Sequence, residues 1–244
     1  MIEHGVEYPV TFMELELREG LLKHSQSNVT PDHVLGLQYA AAAYDKALSL
    51  NNPLAASEAA SKAGLRNEQA EFDSFKTDEW FSEAYAQLPA GEKRERASAN
   101  LNHGRALSLR LGRLILRGED SGTLRRDLQH DATDHFSQAL GDLNDAHDPY
   151  KTMAYRHFAT FEAMIDTKGS AKWSIGFALR GIGCALVARQ ENANNPNERT
   201  PLAEQAKFKV KQLAANAGVL ALAGSKLVPG LKQKRIKTAV NWLV

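Results

Sequence analysis

The chain has 244 residues, 43% of them hydrophobic, and its 30 Lys and Arg against 29 Asp and Glu leave a net charge of +1. That apolar content builds a core without covalent staples, and a single cysteine, Cys184, excludes an intramolecular disulfide or a cysteine-built zinc site. A reducing, cytoplasmic setting is expected, since one unpaired thiol suits it and MIEHGVEYPVTF lacks the basic and apolar regions of a secretory signal.

The near-neutral total hides a division. Residues 1–168 hold 18 Lys and Arg against 26 Asp and Glu, a net of −8, while residues 169–244 hold 12 against 3, a net of +9. We therefore expect an acidic helical region over 1–168 and a basic helical region over 169–244, packed as one continuous unit. Opposite charge at the two ends also suits head-to-tail association of copies, a homo-oligomer.

No sustained alternation of β-branched and aromatic residues occurs, whereas helical periodicity runs from end to end, so an all-α fold of stacked antiparallel hairpins is expected. Residues 10–24 form the first expected helix. In SNVTPDHVLGLQYAAAAYDKALSLNNP, Thr30 is placed as N-cap, Pro31 at the first helical position and Asn51-Asn52-Pro53 as the stop. Segments 54–64 and 68–88 follow, the latter ending at Pro89. Segment 91–117 is apolar over more than half its circumference, leaving Arg110, Arg113 and Arg117 as a narrow polar stripe that could face a partner. A helix that apolar needs neighbours on several sides, as in stacked hairpins.

Segment 122–144 carries QHDATDHFSQALGDLNDAHDP, rich in His and Asp. Leu128, Ala132, Phe136, Ala139, Leu140 and Leu143 share its packing face. Opposite them, the i, i+4 pairs His130 with Asp134 and Asp131 with His135 could each offer two ligands to a divalent metal, with a third ligand needed from elsewhere. The competing reading is a solvated acidic face.

Three stretches repeat one spacing: a small residue, an aromatic four later, a small residue three later, and a helix stop five further on. They are Ala40, Tyr44, Ala47, Asn52; Thr77, Phe81, Ala84, Pro89; and Ala132, Phe136, Ala139, Asn144. A companion pattern occurs at Leu35, Gly36, Tyr39, at Leu111, Gly112, Ile115 and at Met153, Ala154, His157. Over residues 30–165 the chain thus resembles a degenerate tetratricopeptide-like (TPR-like) helical repeat. The resemblance implies a non-enzymatic scaffold or adaptor whose groove binds a peptide or partner protein. A plain helical bundle accounts for the same periodicity.

In segment 149–166, His157 falls among apolar residues and reads as a buried histidine or as a general base. Segment 170–189 holds Cys184, read as an inert thiol, and Gly176, Gly181 and Gly183, which signal close backbone approach or a kink. No GxGxxG or phosphate-loop pattern follows a strand, and no cofactor is expected. Residues 173–188 and 213–231 are the most apolar runs, and both are read as buried helices, not spans. After the polar loop 190–200 come segments 201–223 and 231–243. The last is basic and amphipathic, with Lys232, Lys234, Arg235 and Lys237 as candidate partner-binding residues. It suits a structural cap, and alternatively an acidic partner such as an anionic membrane surface or nucleic acid. A metal-dependent enzyme using the residues of 130–135 is the remaining alternative.

Overall fold

A computed structural model describes residues 33–119, 121–145, 147–167, 169–188, 200–228 and 230–243. Among them every regular element is helical: α1 (His33–Ser49), α2 (Pro53–Gln69), α3 (Ser74–Ala86), α4 (Lys93–Arg117), α5 (Gly122–Asp142), α6 (Pro149–Met164), α7 (Ser170–Val187), α8 (Leu202–Gly224), a 3-10 turn (Ser225–Leu227) and α9 (Lys232–Leu243). The fold is all-α, a helical array in which chain neighbours pack on each other. The expected helix at 10–24, the Thr30–Pro31 cap and all but the last residue of the 190–200 loop lie outside the described residues.

The chain divides into two compact units, Met1–Ala106 and Leu107–Val244. The reversal of charge near Gly169 falls inside the second of these.

In the first unit α1 packs on α2 and α2 on α3. Small residues make the approach close: Ala43, Ala47, Ala56, Ala59, Ala60 and Ala84 gather around the Tyr44 ring. Gly64 lets Phe81 rest against the α2 backbone, where an added Cβ would stand 2.8 Å from the ring. On its other side Phe81 stacks on His103, with ring centroids 4.1 Å apart. The Tyr85 hydroxyl donates to Asn100 Oδ1 at 3.0 Å.

The helix ends explain one departure from expectation. Spacing predicts separate helices over 54–64 and 68–88, broken near Gly64, yet α2 runs unbroken through Gly64 to Gln69 and the break falls at 70–73. Phe72 N–H donates to Asn67 O and Glu71 N–H to Glu68 O, with Glu71 at φ +58°. This is the paired hydrogen-bond closure that satisfies the last carbonyls of a helix, and it needs one residue in the left-handed region. Asn51 and Gly118 fill that position at the ends of α1 and α4. Glutamate seldom does, so the sequence carried no stop signal there. Asp73 then caps α3, accepting from Phe75 N–H at 2.9 Å.

In the second unit α6 is the central helix, packing against α5, α7, α8 and α9. Its rings Phe158 and Phe161 meet Phe136 of α5, and Phe158 stacks on Phe177 of α7 at 4.2 Å. Gly112 of α4 lies where an added methyl group would collide with Val240 of α9 and Met164 of α6. Of the three α7 glycines, Gly181 alone makes the expected close approach, against the Asn216 side chain of α8. Gly176 and Gly183 face open space.

Candidate functional site

The His/Asp cluster of α5 lies on the outer side of that helix. Leu128, Ala132, Phe136, Ala139 and Leu143 are buried, while His130, Asp131 and Asp134 are exposed and His135 is half-buried. His130 Nδ1 stands 3.2 Å from Asp134 Oδ2 and 3.8 Å from Asp131 Oδ1. Burial pulls the His135 imidazole below its ordinary value against the pull of Asp131 and Asp134. No group of three potential ligands able to hold a metal ion occurs among the described residues. Arg110 and Arg113 are half-buried and Arg117 is exposed, and each takes part in a polar or electrostatic interaction.

His157 belongs to α6 and is buried, with Arg156 Nη2 3.3 Å from its Nε2. Arginine only donates, so Nε2 is the acceptor in this contact. Cys184 is half-buried, and burial pushes its thiol above the ordinary value, the opposite of an activated nucleophile.

The basic tail separates into two sets. Lys234 and Lys237 are exposed on the outer side of α9. Arg235, expected among the outward-facing cations, is instead 5% exposed, and its Nη2 lies 2.5 Å from Asp166 Oδ1. Lys232 Nζ reaches Asp166 Oδ2 at 3.0 Å. Partial burial would raise the Asp166 carboxyl, but the Lys232 hydrogen bond and the charges of Arg235, Lys232 and Lys226 hold it below the usual carboxylate range.

Beside this pair lies a residue that sequence reasoning does not single out as part of a site. Lys226 Nζ donates to Glu162 O (2.6 Å), Ile165 O (2.5 Å) and Ser170 Oγ (2.5 Å), so three N–H donors meet three acceptors. Two of these acceptors are carbonyls at the end of α6, where a cation also answers the helix dipole. Burial, with Arg235 nearby, pushes the ammonium down to about 8 against the pull of Asp166 and Glu162, and burial lifts the Glu162 carboxyl to about 7. The single Ser170 Oγ–H faces Thr167 O at 2.8 Å and Ile165 O at 3.1 Å and is shared between them. This arrangement fastens the α6–α7 turn to the 3-10 turn, and Asp166 ties in α9. It is structural in kind, and its hydroxyl is already engaged by backbone.

An open groove of the first unit lies along α3. Tyr44, Phe75, Lys76, Asp78, Glu79, Trp80, Ser82 and Glu83 line its volume of about 610 Å³. The Asp73 cap and the helical register place Phe75, 70% exposed, one turn and a half from Trp80. Trp80 meets the Tyr44 ring edge-on at 5.4 Å. The Tyr44 hydroxyl donates to Glu83 Oε2 at 2.8 Å, and burial together with that carboxylate pushes the phenol up to about 12. Lys76 pairs with Glu79 at 2.6 Å, and one lysine against Asp78, Glu79 and Glu83 gives the lining an acidic balance of formal charge. The stretch FDSFKTDEWFSE does announce aromatic and acidic residues together, but only packing shows which of its rings stay outside.

No family model matches the chain, and no curated protein or solved structure matches it either. No described helix is long and apolar enough to cross a membrane.

Proposed function

We propose that the protein is a non-enzymatic interaction module, a scaffold or adaptor, that holds a basic segment of a partner protein in the α3 groove. The observation that carries this reading is the exposed Phe75 ring in the groove that Trp80 also lines, with Asp78, Glu79 and Glu83 in the same lining. A large apolar ring left in water next to a half-buried tryptophan, within an acidic border, suits a partner that brings an apolar anchor flanked by Arg or Lys. The tetratricopeptide-like reading belongs here too. All nine small-aromatic-small positions of the three matched stretches are buried, the packing such hairpins need to present a groove.

The membrane or nucleic-acid reading of the C-terminal part is weaker than the cap reading. Lys232 and Arg235 are occupied by Asp166, leaving Lys234 and Lys237 as exposed cations of α9.

The test is calorimetry with synthetic peptides that carry one Phe or Leu between arginines, compared with the same peptides bearing Glu. The basic set should bind, and both Phe75→Ser and Glu79→Lys should weaken it about tenfold or more. Phe75 is exposed enough for its loss to spare the fold. Equal binding of acidic peptides, or indifference to Phe75→Ser, refutes the groove. If the basic partner is instead residues 169–244 of a second copy, light scattering will show association that salt abolishes.

A further inference from the structure

Between α6, α8 and α9 of the second unit lies a second cleft, of about 290 Å³, lined by Arg156, Thr160, Ala214, Ala215, Gly218, Val219 and Trp242. Its hollow is a consequence of small residues. Ala214, Ala215 and Gly218 occupy one side of α8, and at Gly218 even a methyl group would come within 3.2 Å of the Trp242 ring. Trp242 covers Gly218 on one side and is 42% exposed on the rest.

Among the described residues Arg156 is the one charged side chain in the lining. Burial holds its guanidinium below the ordinary arginine value, and the hydrogen bond it makes among the described residues is to a neutral acceptor, His157 Nε2 at 3.3 Å. No described carboxylate pairs with it, although Arg235 and Lys232, on the neighbouring α9, share one. Thr160 Oγ1 donates to the Arg156 carbonyl at 2.9 Å and so belongs to its own helix. A partly desolvated cation without a counter-charge in an apolar hollow is an unfavourable arrangement for the empty protein, and one that an anion relieves.

We infer that this cleft binds an apolar monocarboxylate, with its carboxylate on Arg156 and its hydrocarbon body against Trp242 and the small residues of α8. A guanidinium fork matches a carboxylate by two parallel hydrogen bonds. One cation and walls with few polar groups suit one negative charge and a body that asks for no hydrogen bonds. The volume lies at the small end of the range of about 300–1,000 Å³ for ligand pockets, which fits a short fatty or aryl acid and leaves no room for a nucleotide. The site goes beyond the interaction module proposed above, and it stands or falls independently of the α3 groove.

Calorimetry on the full chain with octanoate, 1-octanol and octyl phosphate tests it. Octanoate should bind saturably at one site, with 1-octanol about tenfold weaker or worse. Arg156→Met should bring octanoate down to the level of 1-octanol while leaving the melting temperature of the unliganded protein unchanged or raised. Arg156→Lys, which keeps the charge and loses the fork, should weaken octanoate and spare 1-octanol. Ala215→Phe should abolish both by filling the hollow. Equal affinity of octanoate and 1-octanol, undiminished octanoate binding by Arg156→Met or Arg156→Lys, or absence of saturable binding overturns the assignment. Octyl phosphate binding about tenfold tighter than octanoate also overturns it, by making the site one for phosphate monoesters.

Discussion

The same substitution at three positions of α7 should have opposite effects. At Gly176 and Gly183 a methyl group enters open space, so Gly→Ala there should stabilise the protein by about 0.5–1 kcal/mol, the ordinary helix-propensity and unfolded-chain gain. At Gly181 that gain is outweighed. A methyl group would occupy the place of Asn216 Oδ1 and would stand 3.4 Å from Tyr155 Cβ. Asn216 is fully buried and its Nδ2 is tied to Gln212 O at 2.9 Å, so its amide can turn aside only by giving up that bond. Overpacking of this kind costs about 1–3 kcal/mol, and losing the Nδ2 bond of a fully buried amide adds to it, which puts the cost near the upper end. After the propensity gain, Gly181→Ala should be destabilised by about 2 kcal/mol, some 3 kcal/mol below Gly183→Ala. Urea unfolding followed by circular dichroism reads this as midpoints moving in opposite directions at constant slope. In thermal scans the two variants should differ by about 6–12 °C for a chain of this size. If Gly181→Ala is as stable as Gly183→Ala, α7 and α8 do not cross at Gly181 and Asn216.

Asp166→Asn should destabilise the protein at neutral pH by leaving the buried Arg235 without its carboxylate, and it should flatten the acid limb of the stability curve. The folded carboxyl titrates below its unfolded value, so its contribution is present above the unfolded carboxylate range near about pH 4 and is lost as pH falls through the folded value. Melting temperatures from pH 3 to 7 check it, and an unchanged acid limb in the variant refutes it. Gly118→Ala tests the left-handed closure of α4. At φ +72°, with nothing near the added Cβ, the loss should be about 1–2 kcal/mol of backbone strain alone. Equal stability in urea would show that the turn relaxes without cost.

Much of the fold is legible in local spacing. Ala40, Tyr44 and Ala47, then Thr77, Phe81 and Ala84, then Ala132, Phe136 and Ala139 are small, aromatic and small at helical intervals, and all nine are buried. Asn51-Asn52-Pro53 is legible as the stop of α1 and Pro149 as the start of α6, while the structure adds that Asn52 and Asp148 cap the following helices, accepting from Ala55 and Tyr150 N–H. The break at 70–73 is not legible because Glu71, not glycine, takes the left-handed position. The candidate sites are legible only in part. The exposed His130, Asp131 and Asp134 follow from the face opposite Phe136, but helical projection sets Arg235 beside Lys234 as if both met water. It cannot see Asp166, which is 69 residues away in sequence and turns Arg235 inward.

What the sequence alone determined is therefore what neighbours three and four residues apart can specify: helices, their packing faces, most of their ends, and the charge contrast across Gly169. What tertiary structure decided is which of several equivalent-looking residues meets a distant one. Lys226 rather than its fellow lysines caps α6, Gly181 rather than Gly183 admits a neighbour, and Phe75 rather than Phe81 stays exposed. A helix repeats its geometry every turn and so offers many similar positions. Only the approach of another helix, fixed by the packing of the whole unit, makes one of them different from the rest.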